Sequence, residues 1–227
     1  MDPVKPPNAR QVKAAQTRRR MLAAAYDQFC EHGYRATTMD AIAEQAGVAV
    51  QTLYFTFHTK GAILGEVLGA AVIGFHLWVP PREPVDAAAP ETLGMFHGWF
   101  ASFQAEPDAR RALATFVDAG VDILERTAPL VAAMQAAAGD PEAPAVLRLG
   151  EQRRAETFGA LCSILAKKGP AKKGGLRRGV TVARATDIFL TIFSDQTYQS
   201  LTARGWSPAA CRRWFVEVLT HQLLAPR

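Results

Sequence analysis

Two short helical stretches meet at one glycine in AIAEQAGVAVQTLYFTFHTK, residues 41–60, and this junction constrains the fold more than any other feature of the chain. Helices that cross steeply around a tight turn need a residue at the corner that accepts a positive φ, and Gly47 supplies it. Where such helices touch there is room only for a small side chain, and Ala43, four residues earlier, is small. Ile42, Ala46, Val48 and Leu53 are then the shared core of the corner, with Phe55 and Phe57 read as further core.

The flanking sequence has helical period throughout. Leu22, Ala25, Tyr26 and Phe29 fall at i, i+3, i+4 and i+7, and Gly33 ends that stripe. A second helix is predicted over about 39–46 with Thr37 or Thr38 as its cap, a third from Ala49, and a fourth from Thr59 to the Pro80-Pro81 pair. Beyond it, helices are predicted over 91–105, 108–126, 129–138, 142–168, 181–203 and 208–224, the last capped by Ser207 with Pro208 in its first turn. Nothing alternates with the period of a strand, so the expected class is all-α. The expected division is a disordered basic arm at 1–14, a helix-turn-helix domain at 15–62 and a larger helical domain at 63–227.

Charge separates these parts. Residues 1–60 hold eight basic and five acidic residues, and KKGPAKKGGLRR at 167–178 holds six basic residues and no acid. The remainder is net acidic although the whole chain carries +5. A cationic head on an acidic body suits a polyanion bound at one end; the 167–178 run reads first as a solvated loop. The longest apolar run, LGAAVIGFHLWV at 68–79, is too short to span a bilayer. Three widely spaced cysteines suit reduced thiols in a cytoplasmic protein, with no metal site or cofactor expected.

The predicted third helix opens with small and polar side chains. A slim tip is what entry into the major groove of double-stranded DNA requires, and Val50, Gln51 and Thr52 stand at that tip. Gln51 can bond bidentately to an adenine, and the Thr52 methyl can meet a thymine methyl. Tyr54, His58 and Lys60 lie farther along, with hydroxyl, imidazole and ammonium groups suited to phosphate oxygens. Thr38, at the start of the second helix, can offer another phosphate its hydroxyl and backbone N–H.

TTMDAIAEQAGVAVQTLYFTFHTKGAIL at 37–64, with RRRMLAAAYDQFCEHGYRATT before it, resembles the DNA-binding signature of the tetracycline-repressor (TetR) family of bacterial regulators. The resemblance covers about residues 17–64. It implies Thr38, Tyr54 and Lys60 as phosphate contacts and the start of the third helix as the base reader. Two positions depart from the pattern: Ala49 stands where a serine is common, and Gly61 stands where an acid is usual.

The resemblance also implies a homodimer on a near-palindromic site and a small effector received by the larger domain. Ile188, Ile192, Trp214, Phe215, Val218 and Leu219 are the dimer candidates. Phe75, Trp78, Phe96, Trp99, Phe100, Phe103 and Phe116 form an aromatic set suited to an apolar or aromatic effector, or to core alone. A repressor is the simplest reading of such an architecture; an activator without an effector, or a helical protein-interaction module, is the alternative. An enzyme is not expected, because no GxSxG, phosphate-cradling glycine loop, HExxH or carboxylate–histidine pattern is present. Asp118, Asp122 and Glu125 share one side of a helix but read as solvated surface.

Overall fold

The computed structural model describes residues 9–78, 98–140, 143–168 and 175–226. Among them the named elements are helical: α1 (Ala9–Ala36), α2 (Met39–Ala46), α3 (Val50–Phe57), α4 (Lys60–Ile73), α5 (Trp99–Ala105), α6 (Ala109–Thr127), α7 (Val131–Ala137), α8 (Ala143–Ala166), α9 (Val182–Ile192), α10 (Asp195–Thr202) and α11 (Pro208–Leu223). A single 3-10 turn, Ala128–Leu130, leads into α7, and an isolated antiparallel bridge joins Leu176 to Leu224. The all-α expectation holds.

Helix boundaries follow the local chemistry. Residues 9–14 of the expected arm are helical, because Ala, Arg, Gln and Lys propagate a helix once the prolines are passed. Gly33, at φ 74° and ψ 172°, interrupts α1 before its last turn. Gly74, at φ 98°, stops α4 well before the proline pair. The predicted 181–203 helix is two helices. Ser194 adopts an extended backbone and its side chain accepts from the Thr197 N–H, so α10 starts afresh after Phe193. The amino-terminal part of the predicted 91–105 helix falls outside the described residues.

The chain forms two compact units, residues 1–85 with 132–147, and residues 86–131 with 148–227. In the first, α2 and α4 pack on α1, and α3 on α2 and α4. Leu22, Phe29, Ile42, Leu53, Ile63 and Leu64 are its fully buried centre; truncating one such leucine to alanine costs roughly 2–5 kcal/mol. Arg18 of α1 grips Glu66 of α4 with both ends of its guanidinium and lies 4.7 Å from the Phe57 ring centroid. Because α4 is fastened to α1 in this way, it stays with the head, past the expected boundary at residue 62.

The second unit is built around α6 and α11, with α5, α9 and α10 packed on them. Its core is aromatic: Phe116 lies 5.2–5.8 Å from Trp99, Phe158, Phe189 and Phe193. Gly120 of α6 is required by space, since a Cβ there would lie 2.7 Å from the Phe193 ring. Lys168 belongs to this core and not to a solvated loop. Its Nζ donates to the carbonyls of Gln104 and Glu106 at 3.0 and 2.6 Å, closing the end of α5, and burial lowers its pKa.

Candidate nucleic-acid interface

The corner at Gly47 is closed by backbone alone. Gly47 has φ 63° and ψ 44°, its N–H bonds to Glu44 O, and the Val48 N–H bonds to Ala43 O, both at 3.0 Å. This pair of bonds is a Schellman ending, which needs a left-handed residue at its corner. A Cβ at Gly47 would meet nothing within 4 Å, so conformation and not crowding calls for glycine here. Ile42, Ala43, Ala46 and Leu53 are buried as expected, while Val48 is half-buried.

Beyond the corner, α3 is anchored by two side chains one turn apart, Leu53 and Phe57. Everything on its other side faces outward. Gln51 and Thr52 are exposed and Val50 is half-buried. Tyr54 is 49% exposed and Phe55 85%. Phe55 is therefore not core: two positions from either anchor, it points to the opposite side of the helix. Ala49 precedes α3 without a side-chain cap, as expected of an alanine at a serine position.

The end of α3 is tight. His58 is exposed and takes φ 64° with ψ −49°, the one described non-glycine residue with positive φ. Its N–H bonds back to Tyr54 O at 2.8 Å. Thr59 then caps α4, accepting from the Ala62 N–H at 3.1 Å, so Gly61 does not prevent a defined helix start. Thr38 caps α2 in the same manner, accepting from Ala41 at 3.1 Å, and Thr37 is buried.

Lys60 is the most engaged of the expected contacts. Its Nζ donates to Tyr34 O at 2.7 Å and to Thr37 O at 2.9 Å, and lies 4.4 Å from the Tyr34 ring centroid. Partial burial lowers its pKa, and Asp140 acts in the opposite sense. An ammonium has three donors, so two are committed to the backbone just before Thr38. Lys60 and Thr38 thus meet at one junction. Of the partners that hold it, Tyr34 is the aromatic after Gly33 that belongs to the resemblance, whereas Asp140 lies 106 residues away, beyond the reach of any local pattern.

The remaining candidates divide between the units. In the first unit Phe75 packs edge-on against Tyr26 at 5.3 Å, and Trp78 is buried, with its carbonyl bound by Arg19. In the second, Trp99, Phe100, Phe103 and Phe116 are buried against one another. Among the described residues the Trp99 Nε1–H has no hydrogen-bond partner. Phe96 lies outside the described residues. Two of the dimer candidates need correcting: Phe215 and Leu219 are 0% exposed within their own subunit, so they have no surface left for a partner. Ile188, Ile192, Trp214 and Val218 are half-buried. Asp122 and Glu125 pair with Arg212 on the surface. Among the described residues no group of three His, Cys, Asp or Glu side chains is placed to hold a metal ion, and no helix is long and apolar enough to cross a membrane.

Residues 21–67, the span from α1 into α4, match the sequence pattern of the bacterial regulatory proteins of the tetR family. The head is a tetR-family DNA-binding domain. Over nearly the whole chain the fold is shared with solved structures. NalD, the secondary repressor of the MexAB-OprM multidrug efflux pump in Pseudomonas aeruginosa, is 17% identical with a TM-score of 0.60, covering 93% of this chain and 97% of that one. FadR from Bacillus subtilis, solved with stearoyl-CoA, is 18% identical with a TM-score of 0.63, covering 88% and 96%. A protein from Saccharomonospora viridis solved with choline is 19% identical with a TM-score of 0.65, covering 93% and 99%. At these identities the likeness establishes the fold alone. Against curated proteins the sequence has no significant match.

Proposed function

We propose that this tetR-family regulator is a repressor that binds a near-palindromic operator as a homodimer and is released by a small apolar or aromatic effector. The observation that carries the reading is the outward side of α3, where Gln51, Thr52, Tyr54 and Phe55 are all exposed on a helix held from behind by Leu53 and Phe57. Val50, Gln51 and Thr52 read base edges in the major groove. Thr38, Tyr54, His58 and Lys60 meet phosphates, and Phe55 lies along sugar or thymine methyl. Lys60 does so with the donor left after its two carbonyl bonds.

Two such heads joined by a twofold axis reach successive major grooves when their separation is about 34–36 Å. The half-buried face of α9 and α11 formed by Ile188, Ile192, Trp214 and Val218 supports the pairing of subunits. The effector reading rests on the aromatic second unit and on relatives solved with stearoyl-CoA and with choline. Aromatic walls accept both an apolar chain and a quaternary ammonium. A ligand preferring a conformation with another head spacing draws the population away from DNA.

Selection of bound fragments from a random duplex pool tests the reading. The expected result is an enriched motif with inverted half-sites about one helical turn apart. A pool without enrichment, or a motif without symmetry, overturns it.

A further inference from the structure

The last turn of α1 is where the head depends on a distant part of the chain. Gly33 breaks the helix, so Tyr34, Arg35 and Ala36 form a separate turn whose carbonyls are not aligned with those before it. Lys60 Nζ takes up two carbonyls at this turn, Tyr34 O and Thr37 O, immediately before the Thr38 cap of α2. The setting of this turn therefore sets both Lys60 and the start of α2, two of the groups assigned above to phosphate. Tyr34 is 2% exposed, with its ring stacked on Phe29 at 5.7 Å. Packing alone fixes the ring. It leaves the hydroxyl needing an acceptor, and the acceptor is Asp140 Oδ2 at 2.9 Å. Asp140 follows α7, in a turn closed by its own N–H on Ala137 O at 2.9 Å, and belongs to the same compact unit as Tyr34 and Lys60.

We propose that Asp140 is a positioning residue for DNA binding, which through the Tyr34 hydroxyl holds the α1 turn whose carbonyls accept from Lys60. A neutral acceptor would also satisfy the hydroxyl, though less strongly, and only a carboxylate supports the lysine charge, which partial burial opposes. A hydrogen bond with an ionised partner is among the stronger ones a protein makes. Its removal is felt at the phosphate-facing junction and not at the base-reading tip of α3.

This inference rests on the operator-binding reading, and the experiment separates the two. Tyr34→Phe and Asp140→Ala are each expected to weaken the selected operator about ten-fold, the loss of one charge-assisted bond. Base preference should be unchanged and the double variant no weaker than either single one. In a Lys60→Met background Tyr34→Phe should cost clearly less affinity than in the parent, leaving only the part carried by Thr38, whereas a merely structural strut would cost the same with or without the lysine. An undiminished affinity in both single variants, additive losses, or an equal loss in the Lys60→Met background overturns the proposal. The Lys60 ¹³Cε resonance, read without DNA, should move in Asp140→Asn; an unmoved signal overturns the link to Lys60 even if no operator is ever selected. Failure of the parent chain to select any DNA, with that resonance displaced, counts against the repressor reading instead.

Discussion

Aromatic residues at helical spacing end in opposite places in the two units. In α3 the run Tyr54, Phe55, Phe57 leaves one ring buried and two outside, with Phe55 85% exposed. In α5 and α6 the set Trp99, Phe100, Phe103, Phe116 is buried throughout. The residue types barely differ, but the number of neighbouring elements does. An eight-residue helix held by Leu53 and Phe57 has a free side. Phe116 instead meets rings from α5, α8, α9 and the residue after α9. Exposure of large apolar side chains beside polar ones marks a surface kept for a macromolecular partner, whereas mutual enclosure marks an interior that such a partner does not reach.

If α3 serves a polyanion, its binding and the stability of the second unit must respond differently to salt. With three or four phosphates neutralised by each subunit, operator affinity should fall by about 10³–10⁵ between 50 and 200 mM salt. The thermal midpoint of the protein should move little over the same range, because its core is apolar. Fluorescence anisotropy and circular dichroism on the same samples measure both. A salt-independent affinity would break the contrast outright.

The next largest effect probes the rings themselves. Phe116→Ala should cost about 3–5 kcal/mol of stability, the range for deleting a buried aromatic ring. Phe55→Ala should stay within about 0.5 kcal/mol of the parent, as exposed positions do. Denaturant titration gives both values. A Phe55 variant as unstable as the Phe116 variant would mean that the outer side of α3 is covered. If instead Phe55→Ala folds normally and loses operator affinity, the ring touches DNA.

Within the head, the tip of α3 should separate from its flanks. Gln51→Ala should relax preference at one base pair in each half-site at a cost of about 1–3 kcal/mol. Its denaturation midpoint should match the parent, because Gln51 is exposed. Lys60→Ala should weaken all sequences alike and should also destabilise the head, since it strands the carbonyls of Tyr34 and Thr37. Specificity profiles from pooled sequencing, set beside thermal midpoints, show whether the two residues behave so differently.

The features legible in the sequence were those settled within one turn of helix. Gly47, a threonine at 37 or 38 as a cap, Ser207 before Pro208, and Leu53 as core all depend on neighbours within four residues. Helix type and most boundaries follow from the same range of interaction. What lay hidden depends on distant partners. Phe55 cannot be told from Phe57 by hydrophobicity, only by which side finds a neighbour. The break after Phe193 was readable in principle, because Ser194 and Asp195 form a cap signal inside an otherwise continuous pattern. The ties from Tyr34 to Asp140 and from Lys168 to Gln104 span 106 and 64 residues, and no periodicity announces them.

The smallest effect uses the cysteines, one in the first unit and two in the second. Cys30 is half-buried, whereas Cys162 and Cys211 are fully enclosed. Burial pushes the Cys162 thiol up to about 11, and burial raises Cys30 and Cys211 as well. The thiolate is the reactive form, so at pH 8 a disulfide reagent should label Cys30 first, and Cys162 and Cys211 only as the protein unfolds. The sign of the linked stability change follows from proton binding. Between about pH 9 and 11 the unfolded chain has lost the Cys162 proton that the native state keeps, so stability falls as pH rises through that window. Below it both states are protonated and the contribution is fully present. Thermal midpoints of the parent and of Cys162→Ala, compared across pH 8–11, should therefore converge as the solution becomes alkaline. Parallel curves would show that the buried thiol of the second unit ionises no differently from an exposed one.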